Sequence, residues 1–360
     1  MQEVVKCVHD ITVDWLNDKL GQSGRLKSKV TDLKVHTIGE GVGLMGELGR
    51  LELTYAGEEA LPNTMIAKCA AQNDNIQVAQ VLDFYNREVN FYNKINAASG
   101  IKVPDSYYAC VDQETYHCVI LMQDLGDVSP NDQIIGASET EAKLAIDDLI
   151  VMHSKYWGKV DGPDYSWAYE MMGQASYETL RDLVYAPATE PCIEKFADFF
   201  NDTTRDLVRE VGKRFPEFWS LRISPHTTFI HGDYRQDNFL YLADGESATV
   251  MDWQISGKGK GIFDFSYFMC QSLQSELRVK LEKPLLQHYV DGLKANGVAD
   301  YDFATALEDY RHMILGCLVY PVTVCGSLDL SNERGKALAE TMLVRNLTAI
   351  EELDCAALLG

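Results

Sequence analysis

The sequence is poor in positive charge. Its 32 Lys and Arg stand against 54 Asp and Glu, a formal net charge of −22. A surface that acidic repels a phosphate backbone, so no nucleic-acid partner is expected. Long apolar runs are missing too. The longest uncharged stretch, Met313–Leu328, is 16 residues and contains Pro321. A membrane helix needs roughly 20 residues, so this stretch reads as a buried core helix and no membrane association is expected. Nine cysteines occur, an odd number, and none forms a CxxC. That excludes the usual zinc spacings and points to free thiols in a reducing compartment, hence a cytoplasmic location. The opening residues, MQEVVKCVHDITVDWL, carry acids early and lack the basic-then-apolar layout of a signal peptide. There is no HExxH, no GxSxG, no internal repeat and no low-complexity linker.

What is present is globular: 46% hydrophobic and 24% charged over 360 residues, enough for one large or two moderate domains. Residues 6–20 carry Ile11, Trp15 and Leu20 at helical spacing. In Glu47–Tyr55, Leu51, Leu53 and Tyr55 alternate with Arg50, Glu52 and Thr54, the period of a strand. Thr64–Ala70 and 118–123 read as further strands, and 76–97 as one long helix. Beyond Gly126 the strand signals thin out. Helices are expected over 139–157, 175–187, 192–214, 275–296 and 303–320, and a loop with a hairpin over Phe229–Trp253. The chain therefore divides at Asp124–Asp127 into a strand-rich part and a larger helical part.

The strongest chemical signal is His231-Gly232-Asp233-Tyr234-Arg235-Gln236-Asp237-Asn238, followed by Val250-Met251-Asp252-Trp253. This is the HxDxxxxN spacing of a phosphoryl-transfer catalytic loop with a second aspartate behind it. Ala243-Asp244-Gly245-Glu246 makes a good hairpin turn between two strand-like segments. A hairpin centred there brings Asn238 and Asp252 opposite each other, an amide oxygen and a carboxylate suited to Mg²⁺. Asp233, in the loop before Asn238, is placed to orient a hydroxyl and accept its proton. The competing reading is an ordinary acidic loop; His231 is structural in either case.

Three further features bear on the same chemistry. Gly41-x-Gly43-x-x-Gly46 precedes a strand rather than a helix, which excludes a Rossmann fingerprint and leaves a phosphate loop or a plain hairpin turn. Lys68 is a charge within an otherwise uncharged strand and needs a partner. Glu88 is a candidate, because Phe84, Glu88 and Tyr92 share the apolar face of their helix. Asp264 opens an apolar helix and caps either its N–H groups or those of a neighbouring loop. Lys258 and Lys260 read as solvated loop residues, and His153 and Trp157 as core.

Together FIHGDYRQDNFLY, VMDWQISGKGKGIFDFSYFM and LIVMHSKYWG resemble the aminoglycoside phosphotransferase/choline kinase superfamily, most closely its ecdysteroid-kinase-like branch. The resemblance implies an α+β, two-lobed protein-kinase-like fold. A small antiparallel-sheet N-lobe (1–123), a hinge (124–127) and a larger, mainly helical C-lobe (128–360) would hold ATP in the interlobe cleft. It further implies that Asp233 is the catalytic base and that Asn238 and Asp252 hold Mg²⁺. Lys68 and Glu88 form the ion pair that places the phosphates, Gly41 and Gly43 belong to the loop covering them, and Met122 lines the adenine pocket. The backbones of Gln123 and Leu125 contact adenine, while His231 and Asp264 are structural neighbours of the site. The metal motif reads Asp-Trp-Gln rather than Asp-Phe-Gly.

The function so implied is transfer of the γ-phosphate of ATP to a hydroxyl of a small molecule. The alternative is a catalytically silent, nucleotide-binding regulatory module of the same fold. A protein kinase is disfavoured, since only 11 residues separate Asp252 from Asp264, too few for a long regulated loop. Net charge would steer a cationic acceptor, but 54 acids spread over the whole chain are more simply a soluble surface. The aromatic supply (Tyr156, Trp157, Tyr165, Trp167, Tyr169, Tyr177) suits a ring-bearing alcohol as well. With the family resemblance, a largely uncharged, hydrophobic hydroxyl compound is expected.

Overall fold

Leu51 and Leu53 are buried while Glu52 and Thr54 are exposed, so the alternation read from the sequence is that of a real strand. The structure is a computed structural model and describes residues 4–38, 45–73, 75–126, 131–219, 226–241, 247–327 and 333–359. Gly41, Gly43, Asp127 and the turn 243–246 lie outside the described residues. The chain divides into two compact units: Met1–Val128 with Val250–Ile255, and Ser129–Thr249 with Ser256–Gly360. The sequence reading gave 250–255 to the second part; the contacts give it to the first.

In the first unit β1 (Val30–Ile38), β2 (Gly46–Tyr55), β3 (Thr64–Ala70), β4 (Ser106–Val111) and β5 (Cys118–Gln123) form one antiparallel sheet. Its order is β1-β2-β3-β5-β4. One face carries Leu51, Met65, Ala67, Cys69, Val119 and Leu121, packed with Trp15, Leu16 and Leu20 of α1 (Val13–Gln22). The helix expected over 6–20 starts later, because the Thr12 side chain accepts from the Trp15 N–H and caps α1 there. The single helix expected over 76–97 is two, α2 (Asn75–Val81) and α3 (Phe84–Lys94). Between them Asp83 has φ +58°, and its carboxylate accepts from Tyr116 Oη (2.8 Å) and Asn86 Nδ2 (2.7 Å). Those bonds hold a left-handed residue that Asp tolerates better than most side chains.

The second unit is mainly helical. Its helices are α4 (Glu139–Tyr156), α5 (Gln174–Thr179), α6 (Ala186–Lys195), α7 (Asp202–Lys213), α8 (Phe215–Trp219), α9 (Gly261–Ser272) and α10 (Ser275–Ala295). α11 (Phe303–Gly316), α12 (Val319–Ser327) and α13 (Glu333–Glu352) complete the set among the described residues. A π-helical turn, Leu180–Tyr185, runs α5 into α6, and the helix expected over 192–214 breaks before the Asn201 cap of α7, which accepts from Thr204 N at 2.9 Å. Met313–Leu328 is not one core helix: it spans the end of α11 and the whole of α12. None of the described helices is long and apolar enough to cross a membrane.

Two small two-stranded sheets accompany these helices. β6 (Thr227–Ile230) pairs antiparallel with β9 (Gly257–Lys260), and β7 (Phe239–Tyr241) is hydrogen-bonded to β8 (Ala248–Val250). The strand β9 corrects the reading of Lys258 and Lys260 as solvated loop. At Gly257 and Gly259 of β9 and Gly261, which opens α9, an added Cβ would meet Tyr169 O at 2.5 Å, Ile230 Cδ1 at 2.6 Å and Tyr289 Oη at 2.7 Å respectively. Glycine here serves close packing. Lys258 lies 3.6 Å from Glu170, and Lys260 is buried, its ammonium without a hydrogen-bond partner among the described residues.

Candidate active site

In β3 the side chains of Met65, Ala67 and Cys69 go to the core, so Lys68 falls on the other face. Register pairs Lys68 with Leu48 and Ile120, and Ile66 with Met122. One sheet face thus combines the Lys68 ammonium with Leu48, Ile66, Ile120 and Met122. Of these, the sequence reading named only Lys68 and Met122; strand alternation applied to β2, β3 and β5 would have supplied the rest.

Lys68 Nζ lies 2.8 Å from the Glu88 carboxylate and 3.0 Å from Asp252 Oδ1. Glu88 is 1% exposed on α3. Burial works against the Lys68 charge, but Asp252 and then Glu88 outweigh it and hold the ammonium well above its usual range. Burial pushes the Glu88 carboxyl up, against the pull of Lys68. Asp252 has φ +61°, again a left-handed conformation that Asp tolerates better than most side chains and that its surroundings hold in place. Those surroundings are a stack of Trp253 on Phe91 (centroids 3.7 Å, 3° between planes) and a hydrogen bond from Arg87 to the Ile255 carbonyl. Gln254 Nε2 donates to Asp252 Oδ2 at 3.3 Å.

After β5 the chain turns at Gly126 (φ +84°), whose N–H donates to Asp124 Oδ1 at 2.9 Å. Arg50 of β2 pairs with Asp124 at 3.0 Å and donates to the Gly126 carbonyl at 3.1 Å. The Gln123 N–H is committed to Asp105 O at 2.8 Å. Met122 Sδ accepts from Tyr92 Oη at 3.8 Å.

In the second unit β6 delivers His231 into the loop that carries Asp233. Asp264, fully buried on α9, accepts from the His231 N–H (2.7 Å) and the Gly232 N–H (2.9 Å). Of the two capping roles open to it, the neighbouring loop is the one it fills. His153 Nε2 lies 3.3 Å from the same carboxylate, and His153 Nδ1 is 2.8 Å from Tyr289 Oη. His231 is buried, and its Nδ1 accepts from the Asp233 N–H at 3.2 Å. Asp233 is 8% exposed. Arg235 Nε donates to both its oxygens (3.1 and 3.2 Å), and Asn238 Nδ2 donates to its carbonyl (2.8 Å) and to Oδ2 (3.1 Å). Arg235 Nη1 continues to Gln133 Oε1 (2.6 Å) and Asp237 Oδ2 (2.8 Å). Burial opposes the Arg235 charge, but Asp233 leads the groups that hold it well above its usual range. Arg235 and Gln133 were not singled out in the sequence; the first lies inside the motif, whereas the second, 100 residues upstream of Asp233, gives no local signal.

Among the described residues no three His, Cys, Asp or Glu side chains cluster as a metal site. A hard-cation site built from one carboxylate and amide oxygens has no need of such a cluster. The Asp252 carboxylate, like an amide oxygen, is a hard oxygen donor, and that donor chemistry fits Mg²⁺. Elsewhere in the second unit Tyr156 lies 6.1 Å from Tyr165 and from Phe229, and Trp167 lies 6.1 Å from Phe229, ring centroid to centroid.

Residues 160–298, which include Asp233, Asn238, Asp252 and Asp264, match the model of the ecdysteroid kinase-like family. The resemblance read from the motifs is thereby borne out. No curated protein matches the chain. Among solved structures, a Plasmodium vivax ethanolamine kinase aligns over 92% of this chain and 86% of its own, at 11% identity and a TM-score of 0.52. Amicoumacin kinase hAmiN, in complex with AMP-PNP, Ca²⁺ and Ami, covers 92% of both chains at 14% identity and 0.50. The aminoglycoside phosphotransferase APH(2″)-IIIa, with GDP and kanamycin, aligns over 95% of this chain and 97% of its own, at 11% identity and 0.50. At such identities the likeness is one of fold, and that fold is kinase-like: a five-stranded antiparallel sheet unit followed by a mainly helical one.

Proposed function

We propose that the protein is an ATP-dependent phosphotransferase acting on a hydroxyl of a small molecule. The observation that carries this reading is the Lys68–Glu88–Asp252 cluster, one buried ammonium between two carboxylates on the sheet face that also bears Leu48, Ile66 and Met122. Lys68 and Glu88 position the donor's phosphates; Met122 and the backbones of Gln123 and Leu125 take its base. Asp252 and Asn238 would hold Mg²⁺, which when bound neutralises charge on the β- and γ-phosphates. Asp233 orients the acceptor hydroxyl and takes its proton as the new O–P bond forms and the β–γ bridging bond breaks. The Arg235 guanidinium keeps Asp233 in one rotamer for that task.

The acceptor we favour is a largely uncharged, hydrophobic alcohol. What supports it is the packed set of Tyr156, Tyr165, Trp167 and Phe229, of which Tyr165 and Trp167 are half-exposed. All nine cysteines are free thiols, in keeping with work in a reducing compartment such as the cytoplasm. The test is ADP release across a panel of neutral and cationic alcohols, with Asp233→Asn beside the wild type. Turnover with a panel member is expected for the wild type, and a loss of about 10²–10⁴-fold for Asp233→Asn, with AMP-PNP binding unchanged. Tight AMP-PNP binding without turnover on any acceptor would instead favour the silent regulatory module.

A further inference from the structure

Asp252 is gripped from two sides. Lys68 Nζ takes Oδ1 at 3.0 Å and Gln254 Nε2 takes Oδ2 at 3.3 Å. The grip on the second oxygen leaves a mismatch behind it. Gln254 Oε1, the other end of the same carboxamide, is buried and accepts no hydrogen bond among the described residues. A buried carbonyl oxygen without a donor costs about 1–3 kcal/mol, so a side chain seldom stays in such a state without a compensating ligand. The carboxamide's two ends are nearly isosteric, and half a turn about its last torsion exchanges them. Facing the Asp252 carboxylate, the oxygen would meet repulsion unless a cation stood between. With a cation there, an amide oxygen and a carboxylate form a pair of hard donors of the kind Mg²⁺ and Mn²⁺ take.

We infer that Gln254 is an oxygen ligand of the divalent cation held at Asp252. Its Nε2 occupies the cation's flank of the carboxylate while the cation is away. The inference rests on the reading of Asp252 as a metal carboxylate. It also gives a chemical reason for glutamine in this Asp-Trp-Gln segment, since a glycine there has neither a donor for the empty state nor an oxygen for the loaded one.

A ligand and a mere support for Asp252 predict opposite responses to one isosteric change. Glutamate at 254 adds charge to a ligand and tightens the cation, whereas it removes the donor that a support needs and sets two carboxylates against each other. The experiment is Mn²⁺ binding to the full-length chain with AMP-PNP present, followed by the free-Mn²⁺ electron paramagnetic resonance signal, on the wild type, Gln254→Leu, Gln254→Glu and Asp252→Ala. Near-ultraviolet circular dichroism checks that each variant is folded. Expected is a fall of about tenfold or more in Mn²⁺ affinity for Gln254→Leu, an affinity equal to or tighter than wild type for Gln254→Glu, and a still larger loss for Asp252→Ala. If Gln254→Glu binds Mn²⁺ more weakly than wild type, or Gln254→Leu binds it equally well, while Asp252→Ala loses it, the inference fails and the proposed function stands. Wild-type affinity in Asp252→Ala would overturn both.

Discussion

Lys260 carries a charge that its surroundings support poorly. Burial drives its ammonium down to about 8 from an ordinary 10.5, and Asp309 offsets only part of that. The unfolded chain therefore binds more protons than the native one between about pH 8 and 10.5, and stability rises with pH across that window. Below pH 8 the penalty is fully present. Lys260→Met should stabilise the protein at pH 7 by up to about 3 kcal/mol, the size of the shift in energy. The gain should shrink as pH approaches 10.5. Urea unfolding of both proteins at pH 7 and pH 10 measures it; a gain that is equal at the two pH values would show that the effect is packing and not charge.

At the scale of elements, the first unit depends on a short segment docking against α3. Phe91 and Trp253 stack face to face beside Glu88, so the same contact that packs the segment also sets Asp252 against Lys68. A double-mutant cycle with Phe91→Leu and Trp253→Leu should give a coupling of about 0.5–1.5 kcal/mol in unfolding free energy. Additive losses would mean that the rings are merely adjacent. The sequence foretold some of this geometry and not the rest, for physical reasons. Glu88 could be placed on the buried face because Phe84 and Tyr92 flank it at helical spacing. The break at Asp83 could not, because it is made by side chains from α3 and from Tyr116 rather than by a glycine or proline. The strand β9 was missed because Gly257, Gly259 and Gly261 imitate a loop, whereas their missing side chains make room for Tyr169, Ile230 and Tyr289. Gln254 stood out in the sequence only as the last letter of Asp-Trp-Gln, because its buried, unsatisfied oxygen is a feature of the folded chain.

At the scale of the molecule, the net charge of −22 makes a claim about encounter rather than about fold. If the acceptor is neutral, its kcat/KM should change little between about 20 and 200 mM salt, because screening removes only an attraction that a neutral compound never felt. A cationic acceptor would lose rate steeply over that range. Matched neutral and quaternary ammonium alcohols, each assayed at both ends, separate the two. Efficient turnover of the cationic set alone, falling as salt rises, would overturn the choice of a hydrophobic acceptor.

The chain enters the first unit twice, once through Val128 and again at Val250–Ile255. On a ribosome this has a consequence in time. The five strands of the sheet can emerge and pair early, but Phe91 lacks the Trp253 ring and Lys68 lacks its second carboxylate until Ile255 has left the exit tunnel. Throughout synthesis of the intervening helices the nascent unit stays unfinished, and its final closure is timed by a short segment encoded well downstream of the sheet in its own message.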